Sequence, residues 1–132
     1  MNDRLLAEKA VEMMNFSYAP YSHFHVGAAL LSKNGTVFTG CNVENAAYGP
    51  SNCAERTAVF KAVSEGVREF EAIAIAGGAD GIVKDFCSPC GVCRQVLAEF
   101  CSKDFKVIMI NDKGELKTMT LGELLPESFS LD

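Results

Sequence analysis

An α/β fold, with helices packed on the faces of a mixed sheet, is what this sequence predicts. Helix-period and strand-rich segments follow one another in the order helix, two strands, helix, strand, helix, strand, strand, helix. Asn34-Gly35, set between two strand-rich runs, is the strongest short hairpin signal a sequence offers, so the first strand pair is antiparallel. The 132 residues are expected to form one domain, 1–132, large enough to bury a core without staples.

Leu5, Leu6, Ala10, Val11, Met13 and Met14 recur at helical spacing behind Asn2 or Asp3 as cap, and Pro20 stops any continuation. His25 to Leu31 and Thr36 to Cys41 are the hairpin strands. Residues 42–51 are polar, small and turn-forming, hence loop; Asn52 then caps a helix from Cys53 to about Glu65, closed by Gly66. The inward stripe of that helix is Ala54, Ala58, Ala62 and either Phe60 or the stem of Lys61. Glu71 to Ala76 reads as a buried strand that Gly77, Gly78, Asp80 and Gly81 break. Pro89 marks a helix start, and Val92, Val96, Leu97 and Phe100 give residues 91–101 an apolar helical face. Phe105 to Ile110 is a strand, 111–114 a turn and Glu115 to Met119 a short edge strand; Thr120 caps a last turn or two before Pro126.

Hydrophobic residues at 48% and charged residues at 22% describe an ordinary globular chain. Twelve basic against seventeen acidic residues leave a net charge of −5, which lacks the electrostatic footprint that a nucleic-acid backbone requires. A small uncharged substrate is the better expectation. No stretch reaches membrane-spanning length and the N-terminus has no apolar run of signal-peptide type, so the expected location is cytoplasmic, with no membrane partner. In that compartment the six cysteines are reduced, and they read as ligands or core residues before they read as disulfides.

Cys53, Cys90 and Cys93, with Glu55 beside the first, have the composition of a catalytic zinc site: three soft ligands, one coordination position left for water, and a carboxylate at hand. Cys90 and Cys93 share one face at the start of a helix. Cys53 and Glu55 are two apart, so the ion belongs off a helix N-terminus, where the unpaired N–H groups favour thiolate. Three thiolates overcompensate Zn²⁺, and Arg56 is the cation placed to offset the excess by hydrogen bonding to ligand sulfur. Cys41 and Cys101 read as small core residues, Cys87 as a thiol close to the metal, and His23 and His25 as packing or surface groups rather than ligands. A Cys-x-x-Cys redox pair and a closed zinc knuckle are the bland alternatives. The third cysteine and carboxylate count against the first, the missing fourth ligand against the second.

Cys53-Ala-Glu55 followed by Pro89-Cys-Gly-x-Cys93 resembles the zinc nucleoside and nucleobase deaminases, whose His-x-Glu and Pro-Cys-x-x-Cys signature has Cys53 in place of its histidine. Tyr18-Ala-Pro-Tyr-Ser22, Val26-Gly-Ala-Ala-Leu30, Gly40-Cys-Asn-Val-Glu-Asn-Ala-Ala-Tyr48, Glu123-Leu-Leu-Pro126 and Phe129 extend the resemblance, over nearly the whole chain, to the short homotetrameric cytidine deaminases. It implies a three-layer αβα fold with a mixed sheet of about five strands and one Zn²⁺ per subunit. The implied reaction is hydrolytic deamination of cytidine and 2'-deoxycytidine in pyrimidine salvage. Water activated at the metal attacks C4, while Glu55 takes the water's proton, protonates N3 and later protonates the leaving amino group. The resemblance further implies that Asn42 and Glu44 bind the ribose and that Phe24 packs on base or sugar. It gives the backbone near Ala54 and at Ser88 the task of orienting the pyrimidine, and sends Ala46, Tyr48 and Phe129 into a neighbouring subunit's pocket. Gly49-Pro50-Ser51 and the stretch 80–87 depart from the family pattern. Two alternatives are a deaminase of another aminopyrimidine nucleoside such as blasticidin S, and a non-catalytic zinc module. Asn42 and Glu44 favour cytidine over the former; Glu55 and the acidic charge speak against the latter.

Overall fold

Asn2 accepts a hydrogen bond from the Leu5 amide at 2.8 Å and so caps α1, Asp3–Met13, which a 3₁₀ turn, Met14–Phe16, extends. The computed structural model describes residues 1–131. After α1 come β1 (Phe24–Ser32), β2 (Val37–Cys41), α2 (Ala54–Ser64), β3 (Phe70–Ala79), α3 (Gly91–Phe100), β4 (Lys106–Ile110), β5 (Leu116–Thr120) and α4 (Leu121–Leu124). The strands form one five-stranded sheet in the order β2-β1-β3-β4-β5. β1 runs antiparallel to β2 and β3, β3 parallel to β4, and β4 antiparallel to β5. The parallel pair is the one joined through a helix, α3, as a crossover requires.

Strand periodicity separates two cores. Along β3, Ile73 and Ile75 face α2 and α3 with Ala58, Val59, Leu97 and Val107, whereas Ala72, Ala74 and Ala76 face α1 with Leu6, Ala10, Ala29 and Ile108. The result is the expected three-layer αβα arrangement with a mixed sheet. Thr120 and Glu123 close α4 with a reciprocal capping box.

Three local expectations need correction. Asn52 does not cap α2: the N-cap is Cys53, and the Asn52 amide instead donates to the Thr57 hydroxyl at 3.2 Å. Phe60 and Lys61 are exposed, and Val59 fills the inward stripe, because the α2 face turned to the sheet runs through Ala58, Val59 and Ala62. Gly77 and Gly78 do not break β3; they pair with Val26 and His25. At Gly78 a Cβ would lie 1.8 Å from the Ile82 carbonyl oxygen, so here glycine admits a chain crossing over the strand rather than ending it.

α2 lies directly on β2 at Gly40, where a Cβ would stand 2.3 Å from the Ala54 carbonyl oxygen and 2.7 Å from the Ala58 amide nitrogen. That contact fixes the height of the first turn of α2 over the sheet. The loop before it is tied down as well: Val43 and Asn52 exchange backbone hydrogen bonds at 2.9 Å each, and Thr57 donates toward the Cys41 carbonyl at 3.0 Å.

Candidate metal centre and active site

Cys53 is the N-cap of α2 and Cys90 the N-cap of α3, so the two helices aim their N-termini at one point. Cys93 follows on the first turn of α3, and the three sulfurs all lie within 4.8 Å of one another. Cys53 and Cys90 Sγ are 3.6 Å apart. A tetrahedral ion with Zn–S bonds of about 2.3 Å places its sulfurs about 3.8 Å apart, so the donor set fits Zn²⁺ in chemistry and in size. The Cys90 sulfur also accepts the Cys93 amide at 3.5 Å, and the Arg56 guanidinium donates to Cys53 Sγ at 3.3 Å. Arg56 Nε is buried without a partner among the described residues. A hydrogen bond from the Cys93 thiol, followed by those from Arg56 and Cys90, holds the Cys53 pKa down, while donating that bond, together with burial, pushes the Cys93 pKa up: one thiolate is already favoured within the cluster.

Glu55, on the first turn of α2, is 4% exposed. Burial foremost, then the Cys53 sulfur, pushes its carboxyl up to about 7. A carboxyl at the edge of three thiols, titrating near neutrality, has the acid–base character that proton transfer to and from one site demands.

Cys53, Glu55, Arg56 and Cys90 line a cavity of about 490 Å³, the size range of nucleoside-like ligands, together with Asn42, Glu44, Tyr48, Ala54 and Ser88. Val26, Gly49, Ser51, Asn52, Cys87 and Val92 complete its wall; Val26, Asn52 and Val92 carry strand, cap or helix-face signals in the sequence and no site signal until the sheet and α3 bring them together. Cys87 packs on the core beside the cavity and lies outside the three-sulfur cluster; burial raises its thiol to about 12. Its Sγ, Val26 and the Phe24 ring converge over Gly77. Phe24, 42% exposed, is next to two lining residues and is not itself among those that line the cavity of one chain. Ala46 and Phe129 do not line this cavity within one chain; both are exposed, and Gln95 holds the Phe129 carbonyl at 2.9 Å. Tyr48, 77% exposed and in the left-handed region at φ 60°, projects at the rim.

Asn42 and Glu44 are strongly tethered. Asn42 accepts the Val26 amide and donates to the Phe24 carbonyl, each at 2.8 Å. Glu44 takes the Tyr21 and Ser22 amides at 3.0 and 3.1 Å, and its carboxyl is held below the usual range, chiefly by the Ser22 hydroxyl. His25 Nδ1 pairs with the Ser17 hydroxyl at 2.5 Å, and neither it nor His23 joins the sulfur cluster. Cys41 and Cys101 are half-buried, with their thiols raised by burial, that of Cys101 to about 12.

Helix N-termini that converge on three thiols, with one coordination position to spare and a buried carboxyl beside it, define a hydrolytic zinc enzyme. A sequence profile described as the cytidine and deoxycytidylate deaminase zinc-binding region matches residues 1–109. Similar proteins include a cytidine deaminase of Sporosarcina psychrophila, 52% identical over 97% of this chain and 90% of that protein. Another, from Halalkalibacterium halodurans, is 48% identical over 100% of this chain and 97% of its own length. Among solved structures, a cytidine deaminase from Burkholderia pseudomallei superimposes with a TM-score of 0.89 at 46% identity, covering 98% of this chain and 100% of that one. A blasticidin-S deaminase of Bacillus cereus is more distant, at 31% identity over 97% of this chain and 92% of that protein. The chain belongs to the cytidine and deoxycytidylate deaminase family. No helix among the described residues is long and apolar enough to cross a membrane.

Proposed function

We propose that the protein hydrolyses cytidine and 2'-deoxycytidine to uridine and 2'-deoxyuridine, releasing ammonia. The observation that carries this is Glu55, a buried carboxyl raised to about 7 beside three thiols at the end of a nucleoside-sized cavity. A non-catalytic zinc module has no use for such a group. Cys53, Cys90 and Cys93 hold the ion. Zn²⁺, when bound, supplies the Lewis acidity that makes water nucleophilic near neutral pH. Glu55 accepts the proton of the attacking water and delivers it to N3 of the pyrimidine, then takes the proton of the new C4 hydroxyl and passes it to the leaving amino group as the C4 carbonyl forms, so one carboxylate serves both directions. The first-turn amides near Ala54 have no intrahelical acceptor and suit the pyrimidine O2, with the Ser88 backbone on the amino side. Asn42 and Glu44 take the sugar hydroxyls, and Arg56 neutralises excess thiolate charge.

A homotetramer is part of the same reading. Tyr48, at the cavity rim, and Phe129 are exposed aromatics, which supports their insertion, with Ala46, into a neighbour's pocket. A single sheet takes up the described chain, in keeping with one domain over 1–132. Six unpaired cysteines fit the cytoplasm, where the reaction serves pyrimidine salvage. Zinc per chain and ammonia release from cytidine, 2'-deoxycytidine, blasticidin S, cytosine and adenosine test the proposal on one preparation. About one zinc per chain with turnover confined to the two cytosine nucleosides is the expected result. Zinc without turnover of either nucleoside would overturn it.

A further inference from the structure

Ser22 and Glu44 lie on separate segments, yet three hydrogen bonds run between Tyr21-Ser22 and the Glu44 carboxylate. Oε1 accepts the Tyr21 amide at 3.0 Å and the Ser22 amide at 3.1 Å. Oε2 accepts the Ser22 hydroxyl, which in turn accepts the Phe24 amide at 3.0 Å. The direction of each bond is settled by chemistry, since a carboxylate can only accept and an amide N–H only donate. Ser22 therefore cannot turn its proton elsewhere without losing its bond to Glu44. His23, in the left-handed region at φ 58°, makes the bend that lets one side chain reach Glu44 on one side and the Phe24 amide on the other.

A carboxylate offers about four acceptor positions. Two on Oε1 are filled by amides and one on Oε2 by Ser22, which leaves a single acceptor, on Oε2, of a residue that lines the cavity. We propose that Ser22 is a positioning residue for sugar recognition: its hydroxyl locks the rotation of the Glu44 carboxylate so that one oxygen presents one free acceptor to one sugar hydroxyl. The inference rests on the reading of Glu44 as a sugar contact. Ser22 touches neither the pyrimidine-orienting backbone nor the sulfur cluster, so its effect belongs to binding of the hydroxyl-bearing sugar and not to proton transfer at C4.

The test compares kcat and KM for cytidine and 2',3'-dideoxycytidine in the wild-type holoenzyme and in Ser22→Ala, Ser22→Thr, Glu44→Ala and the Ser22→Ala/Glu44→Ala pair. Ser22→Ala should raise KM for cytidine about tenfold, the size of one charge-assisted hydrogen bond, with kcat within about twofold and zinc content unchanged. Dideoxycytidine, which lacks the 2'- and 3'-hydroxyls that a ribose offers Glu44, should show no such rise. Ser22→Thr keeps the hydroxyl and should restore cytidine KM, and the double variant should discriminate no worse than Glu44→Ala alone. If Glu44→Ala abolishes discrimination between the two nucleosides while Ser22→Ala leaves it intact, or if Ser22→Ala weakens both nucleosides equally, the positioning role is wrong. If Glu44→Ala itself leaves discrimination unchanged, the sugar-contact reading fails, and the inference with it. Should Ser22→Ala lose zinc or fail to fold, Ser22→Cys, a similar volume with a weak donor, gives the same comparison.

Discussion

Replacing Glu55 by glutamine should make the metal-free protein more stable at the same stroke as it removes activity. In the fold without metal, burial lifts the carboxyl from its ordinary 4.5 to about 7. Its folded pKa is raised, so the neutral form is the one the fold tolerates: no cost arises below pH 4.5, and stability falls as pH climbs through 7. Linkage puts the cost of the charged side chain at about 1 kcal/mol at pH 5 and about 3 kcal/mol at pH 8. Glutamine keeps the shape without ionising. The measurement is urea unfolding of zinc-stripped wild type and Glu55→Gln, at equal chain concentration, at pH 5 and pH 8. The thiols titrate in both proteins, so the difference between the two curves reports position 55 together with its coupling to the neighbouring thiols; it should widen by about 2 kcal/mol across the range. A difference that is flat with pH, or a glutamine variant no more stable at pH 8, would falsify the picture of a desolvated carboxyl. The zinc-loaded variant should meanwhile retain its metal and lose about 10³-fold or more in turnover.

Arg56→Ala removes the 3.3 Å hydrogen bond to Cys53 Sγ, and chelator competition should show zinc held about 10- to 100-fold more weakly. An unchanged affinity would free Arg56 of that role. Cys87→Ser should leave zinc content at its wild-type value, because Cys87 stands outside the sulfur cluster; metal loss would mean the ligand set is misassigned. Gly40→Ala drives a methyl group into the Ala54 carbonyl and the Ala58 amide, and thermal or urea unfolding should register a loss of about 3 kcal/mol or more, since neither neighbour is a movable side chain. Phe129→Ala should raise KM in the oligomer, and dilution to monomers should extinguish turnover. A fully active monomer would contradict shared pockets.

The metal cluster was readable from sequence because its chemistry is local: Cys90 and Cys93 share a turn, and Cys53 precedes Glu55 by two residues. Secondary structure was legible for the same reason, through periodicity and the Asn34-Gly35 turn, with the sheet's mixed character following from element order. Legibility stopped where meaning depends on distant partners. Gly77 and Gly78 look like strand breakers until Ile82 is seen crossing over Gly78 and the Cys87 sulfur lying over Gly77. Asn52 has the side chain of a cap, but the cap position belongs to the residue that also faces the sulfur cluster, and Asn52 turns to Thr57 instead. The tether from Ser22 to Glu44 spans 22 residues of chain, beyond the reach of any local pattern.

Both principal helices of the active site begin on a cysteine where helices ordinarily begin on serine, threonine, aspartate or asparagine. A thiol is a poor substitute; a metal-held thiolate, fixed and negative at the positive end of the helix, is a good one. Loss of the ion should therefore loosen the opening turns of α2 and α3 together, visible as faster hydrogen exchange at Glu55–Thr57 and Val92–Arg94. In a cell this makes metal supply a determinant of lifetime. Chains that have not acquired zinc would be those with two unfastened helix ends, exposed first to proteolysis, so that the population surviving turnover is enriched in molecules competent to react.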